Sequence, residues 1–283
     1  MSKRPHSAPE RPSPGNQALD NAILALQMQR PDEAERLAAG VLKSNRGDVV
    51  AAQILGRALL LQNRPDEAIE PLMKSARRSG DPQIETLLAM ALAAAGKNDE
   101  AVDQLRRTTA RRPPFLPAFL ELARQLGQTG HFDEAIVLLE SALPFATEVA
   151  DIQVALGFVH INRNDRVSAR ALFSQVLATA PARHDALVAL AKVMAISGEH
   201  RDAAELYRRA LSLQPNDPVM RTNLGKCLLE MGERDAGEAT LRAAARAGAQ
   251  LAGGAITALA AASHGRFFLR PSVAARFLRD DKN

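Results

Sequence analysis

The sequence predicts an all-α protein: a solenoid of about seven helical hairpins closed by a C-terminal capping helix. Three observations predict it. The five letters RPDEA at 30–34 return at 64–68, a step of 34 residues, about the length of one helical hairpin. The echo continues at nearly that step, as KNDEA at 97–101 and HFDEA at 131–135, then weakly as RVSAR at 166–170, RDAAE at 201–205 and DAGEA at 235–239. Trp is absent and aromatics are 4% of the 283 residues, so the core has to be Ala and Leu packed between helices. Self-similarity at such a period marks a repeat array, in which added length means added units rather than a larger core.

Each copy pivots on a small residue: Ala34, Ala68, Ala101, Ala135, Ala169, Ala203 and Gly237. About twelve residues earlier stands a second small residue: Ala22, Gly56, Ala89, Ala123, Gly157, Ala191 and Gly225. Leu precedes it in all copies but the first, as Leu55, Leu88, Leu122, Leu156, Leu190 and Leu224; Asn21 breaks the column. Small residues in register let two helices approach closely, since a large side chain at either would force them apart.

Taken in order, a Pro- and Gly-rich tail at 1–14 is expected to be disordered. It has basic residues but no apolar run behind them, so it is no secretory signal, and a cytoplasmic site is expected. The array covers 15–251, with repeats near 15–48, 49–81, 82–115, 116–149, 150–183, 184–217 and 218–251. In the first two repeats Pro31 and Pro65 open the second helix, where a missing N–H costs nothing. Asp and Glu follow at the positive end of the helix dipole. Leu55, Leu59 and Leu60 give the second repeat a helical apolar stripe before a break at Asn63-Arg64-Pro65. Leu88 and Leu92 do the same in the third before Gly96-Lys97-Asn98, and the fourth breaks at Gly130-His131 before Ala135, Leu138, Leu139 and Ala142. In the fifth, His160 takes a column held elsewhere by Leu59, Leu92 and Leu126, and reads as a satisfied core or groove histidine. The sixth breaks at Gly198-Glu199.

After the array, 252–283 departs from the pattern. AGGAITALAAA at 252–262 reads as a lone first-type helix, and Ser272 is placed to cap a short helix through Phe277 and Leu278. Phe267, Phe268, Phe277 and Leu278 should cover the last helix face. Docking to a partner or to an anionic membrane surface is the alternative role of this basic, apolar segment.

GEHRDAAELYRRALSLQPND at 198–217 and NLGKCLLEMGERDAGEATLRAAA at 223–245 most closely resemble the tetratricopeptide repeat. Pro113 and Pro181 stand where Pro215 closes the first of these, and Tyr207 and Phe173 keep a ring that other copies replace with Leu72, Leu105, Leu139 or Leu241. The resemblance covers nearly the whole array. It implies a right-handed superhelix whose first helices line a concave groove for extended peptides or partner helices. On that reading the residue after each first-helix small residue faces the groove: Ile23, Arg57, Met90, Arg124, Phe158, Lys192 and Lys226. Four are cationic and none is acidic, and Gln53, Thr86, Gln128, Asn162 and Thr222 flank them. The expected partner is another protein, offering an acidic or carboxylate-bearing peptide.

No chemistry stands outside the repeat grammar. The six histidines and Cys227 lack metal-ligand spacing, and there is no nucleotide-binding glycine loop or nucleophile elbow. Cys227 reads as a buried, inert thiol. No catalytic residue, cofactor or metal is therefore expected. The net charge of +4 sits at the ends: Lys3, Arg4 and Arg11 against Glu10 in the tail, and Arg266, Arg270, Arg276, Arg279 and Lys282 against Asp280 and Asp281 at the C-terminus. The array is left at −1, which argues against nucleic acid as a partner. No stretch is long and apolar enough to span a membrane. The expected function is a non-catalytic protein–protein scaffold or adaptor. The alternatives are an accessory array for a separate enzyme, such as a glycosyl- or sulfotransferase, or an envelope or secretion assembly factor.

Overall fold

The computed structural model describes residues 14–246, 249–266 and 270–279. The expected tail, apart from Pro14, and the expected capping residues Phe267 and Phe268 lie outside the described residues. Among those described, every regular element is helical. Two compact units emerge. One runs to Thr129 and includes Val137–Phe145; the other takes Gly130–Ile136 and the residues from Ala146 onward.

The first unit holds α1 (Pro14–Gln27), α2 (Pro31–Ser44), α3 (Val49–Leu61), α4 (Pro65–Ser79), α5 (Pro82–Ala94), α6 (Asn98–Thr109) and α7 (Leu116–Gln128). The division falls within α8 (Phe132–Ala142). The second unit continues with α9 (Val149–Asn162), α10 (Arg166–Thr179), α11 (His184–Ile196), α12 (His200–Leu213), α13 (Pro218–Glu230), α14 (Arg234–Arg246), α15 (Ala249–Ala261) and α16 (Pro271–Arg279). In each unit the two helices of a hairpin pack together, α1 on α2, α3 on α4 and α5 on α6 in the first, α9 on α10, α11 on α12 and α13 on α14 in the second. Odd helices also stack on one another, α1 on α3, α3 on α5 and α5 on α7 in the first unit, α9 on α11 and α13 on α15 in the second.

Every hairpin turn carries one residue in the left-handed region: Gln29 (φ 56°), Asn63 (57°), Gly96 (79°), Gly130 (85°), Asn164 (63°), Gly198 (84°) and Gly232 (80°). The following N–H then reaches back five residues and closes the helix, Arg30 onto the Ala25 carbonyl at 2.8 Å and Arg64 onto that of Leu59 at 2.9 Å. Gln29 alone uses neither Gly nor Asn. Left-handed geometry costs such a residue roughly 1–2 kcal/mol, against about 0.5–1 kcal/mol of glycine entropy. Gln29→Gly should therefore raise stability by about 0.5–1 kcal/mol, read as a higher urea midpoint; a lower midpoint would show an unstrained turn.

Pro31 and Pro65 open α2 and α4, followed by the expected Asp and Glu pairs. First helices use a device the repeat columns do not announce, an Asp cap. Asp48 accepts from the Ala51 N–H at 2.9 Å, Asp81 from Gln83 at 2.8 Å and Asp217 from Met220 at 2.8 Å.

Both small columns are buried. Ala22, Ala89, Ala123 and Ala191, like Ala34, Ala68, Ala101, Ala135, Ala169 and Ala203, are 0% exposed. Where the first column is Gly, the second helix presses hardest: a Cβ on Gly56 would stand 2.7 Å from Leu72, one on Gly157 2.6 Å from Phe173, and one on Gly225 2.7 Å from Leu241. Arg78 and Arg209, late in second helices, and Arg111, just past the end of α6, do more than face the helix dipole. They donate to the backbone carbonyls of Arg46, Gly80 and Pro181 at 2.9, 3.0 and 2.9 Å, tethering each turn to the one before.

His160 is satisfied, its Nδ1 lying 3.2 Å from the Asp165 carboxylate at the same turn. Two expectations change at this level. The lone C-terminal helix begins at Ala249 rather than 252. Ser272 does not cap α16: Pro271 opens that helix, its fixed φ suiting the first position, and the Arg270 carbonyl accepts the first helical bonds, from Val273 and Ala274. α16 lies on α14 and α15. Leu278 is 2% exposed, in a cluster with Leu229, Leu241 and Leu259, and Phe277 packs against that cluster. The guanidiniums of Arg242 and Arg266 stand 4.9 and 4.7 Å from the Phe277 ring centre.

Candidate functional site

One helical step of about 100° separates a buried small residue from the residue after it, which turns off the helix–helix contact. All seven such residues are exposed: Ile23, Arg57, Met90, Arg124, Phe158, Lys192 and Lys226. Three and four positions along a helix share a face. Around Arg57 those are Gln53, Leu60 and Leu61; around Met90, Thr86 and Leu87. In the first unit these residues line one groove of about 580 Å3, completed by α1, Phe115 and Pro117.

This groove is apolar in its walls and sparing in charge. Arg57 is the one charged residue lining it and has no ion-pair partner among the described residues. The Gln53 Nε2 is buried with no hydrogen-bond partner, an unusual state for a strong donor. Thr86 is less available than its position suggests, since its hydroxyl donates to the Pro82 carbonyl at 2.7 Å; Thr222 does the same to Pro218 at 2.8 Å.

Arg124 does not stand free. Its Nε and Nη2 grip both oxygens of Glu121 at 2.8 and 2.5 Å, and its Nη1 donates to Gln128 at 3.1 Å. The Glu121 carboxylate beside it holds the guanidinium above its ordinary range. Glu121 is buried and also accepts from Gln125 at 2.9 Å. Glu121 lies outside the columns that predict the groove; its i, i+3 spacing to Arg124 was the available signal.

In the second unit Phe158 is 44% exposed and meets the Phe173 ring edge-on at 5.5 Å, while Asn162 is exposed at the end of α9. Lys192 and Lys226 border a smaller pocket between α11, α12 and α13. Burial pushes the Cys227 thiol up to about 11, which leaves it a poor nucleophile. A larger recess of about 640 Å3 in the first unit is lined partly by α4 and α6. It mixes both signs of charge, with Arg111 already bonded to Glu85 at 2.5 Å. Among the described residues no group of His, Cys, Asp and Glu is placed to hold a metal, and no helix is long and apolar enough to cross a membrane.

Stacked hairpins with small residues at the crossings and an exposed first-helix face define a class, the α-helical repeat solenoids. Sequence comparison gives the family. Three family models, each described as tetratricopeptide repeat, match residues 19–83 and 154–218, 82–107, and 194–262. The chain belongs to the tetratricopeptide-repeat proteins. Among solved structures it is similar to a thermophilic tetratricopeptide-repeat protein of Thermus thermophilus, with 22% identity, a TM-score of 0.57, and coverage of 64% of this chain and 98% of that one. A tetratricopeptide-repeat protein from Parabacteroides merdae aligns over 93% of this chain and 97% of its own, at 11% identity and a TM-score of 0.63. Among curated proteins, the "Cellulose synthase operon protein C" of Pseudomonas fluorescens is 28% identical over 186 residues; the match takes in 62% of this chain and 14% of that protein.

Proposed function

We propose that the protein is a non-catalytic interaction scaffold whose first unit seats a partner polypeptide along the first-helix groove. The family supports a protein-binding role. The observation that carries the reading is the groove itself: apolar walls over consecutive first helices, one unpaired cation and one buried amide donor without a partner. The partner segment places apolar side chains on Leu60, Leu87 and Met90, a carboxylate opposite Arg57 and a carbonyl at Gln53 Nε2. A neutral apolar helix would leave that guanidinium and amide unanswered.

A random-peptide library selected on the full chain tests this. Selected sequences should alternate apolar residues with one acidic position. Arg57→Glu should weaken the best of them about tenfold, equal to ~1.4 kcal/mol, with a fall in salt sensitivity. Binding untouched by both Arg57→Glu and Met90→Asp would place the partner elsewhere.

The match to a protein named for a cellulose synthase operon favours a second reading, an accessory array that works beside a separate enzyme. Co-purification of an intact synthase or transferase with the tagged chain, lost in Arg57→Glu, would join the two readings.

A further inference from the structure

The pocket between α11, α12 and α13 has a volume of about 230 Å3 and gathers Lys192, Lys226, His200, Tyr207, Asn223 and Cys227. Lys192 and Lys226 have no ion-pair partner among the described residues. The His200 Nδ1 is buried without a hydrogen-bond partner. Glu230, one helical turn beyond Lys226, is not among the lining residues: its carboxylate accepts from the Ser263 hydroxyl at 2.7 Å and from the Ser263 N–H at 3.3 Å. First the Ser263 hydroxyl, and more weakly the charges of His200 and Lys226, hold its carboxyl below the usual range. Two lysines thus line one small pocket whose lining residues include no acid. An anion seated there would accept charge-assisted hydrogen bonds from both.

The imidazole narrows the class. A neutral ring whose Nδ1 lacks a proton needs a donor, while a protonated ring needs an acceptor. A carboxylate can only accept. A phosphate group has a second pKa of about 6, so near neutrality it presents both O–H and O−. We propose that this pocket is a binding site for an oxyanion of the phosphate class, either free or carried as a phosphomonoester. The proposal does not rest on the first-unit groove.

Isothermal titration of the full chain with inorganic phosphate tests it, with acetate as the carboxylate control and O-phosphoserine as the esterified probe. Phosphate should bind saturably at one site. Lys192→Gln and Lys226→Gln should each weaken it about tenfold, the loss of one charge-assisted contact. Both side chains are exposed, so the fold should survive, as circular dichroism will show. Arg36→Gln, which removes an exposed charge from α2 of the first unit, should change nothing. Tighter binding of O-phosphoserine than of inorganic phosphate assigns an esterified ligand, and the reverse assigns the free anion; either supports the site. Absence of saturable binding, acetate binding as well as phosphate, or an equal loss in Arg36→Gln would overturn it.

Discussion

Gly157→Leu should destabilise the second unit by on the order of 1–3 kcal/mol, while Glu140→Leu, at an exposed second-helix site, should stay within about 0.5 kcal/mol. A Cβ at Gly157 would already stand 2.6 Å from Phe173 Cζ and 2.7 Å from its Cε1, and that ring is 0% exposed, with no free space to rotate into. Ala135→Leu, at a pivot that is also 0% exposed, should cost a similar amount. The same chemistry has the opposite sign where the helix is open. A Cβ on Gly40 meets nothing within 4 Å, so Gly40→Ala should stabilise α2 by about 0.5–1 kcal/mol through chain entropy alone. Chemical unfolding of the three Gly and Ala variants would decide it; a stabilised Gly157→Leu would mean the helices are not held at the spacing described.

Removal of the chain after Ser263 should lower the melting temperature and expose a dye-binding patch. The patch comprises Leu229, Leu241 and Leu259, which Leu278 helps to bury. Leu278→Ala alone should cost about 2–5 kcal/mol, as at other buried leucines. Truncation removes a second interaction as well. Arg266 bonds the nearly buried Glu238 at 3.1 Å while facing the Phe277 ring, and its loss leaves that carboxylate to Arg234 alone. Phe277→Leu isolates the ring, with an expected loss of about 0.5–1 kcal/mol for each arginine. Gly265 fixes the path into this segment: a Cβ there would lie 1.8 Å from the Leu259 carbonyl oxygen, so Gly265→Ala should undock α16 much as truncation does. An unchanged melting temperature with the patch still closed would show that α16 contributes nothing as a cover.

The hairpins were legible in the sequence because their determinants are local. A turn needs its Gly or Asn within a few residues of the helix it ends, and Asn63, Gly96, Gly130 and Gly198 hold that position. The small and bulky columns were legible too, since each crossing repeats with the same period and leaves the same mark. Gln29 is not marked this way, because left-handed geometry can be imposed by the closing hydrogen bonds on a residue that does not advertise it.

The candidate site was legible as a face but not as chemistry. Counting one residue beyond each buried Ala or Gly found seven exposed positions, because helical rotation settles which way a side chain leaves the crossing. Which of the cations keep their charge available could not be read from that column. Arg124 is answered by Glu121 three residues back in its own helix, whereas Arg57 has no acid three or four residues away. The phosphate-class pocket lies further from reach, because Lys192, His200 and Lys226 come from three helices, and only their packing turns separate repeat positions into one cavity. The sequence by itself determined the repeat, the helix ends and the exposed face, all of which follow from neighbours along the chain. The tertiary structure decided which charges are free and which side chains share a cavity, because those depend on distances between residues that the chain alone does not bring together.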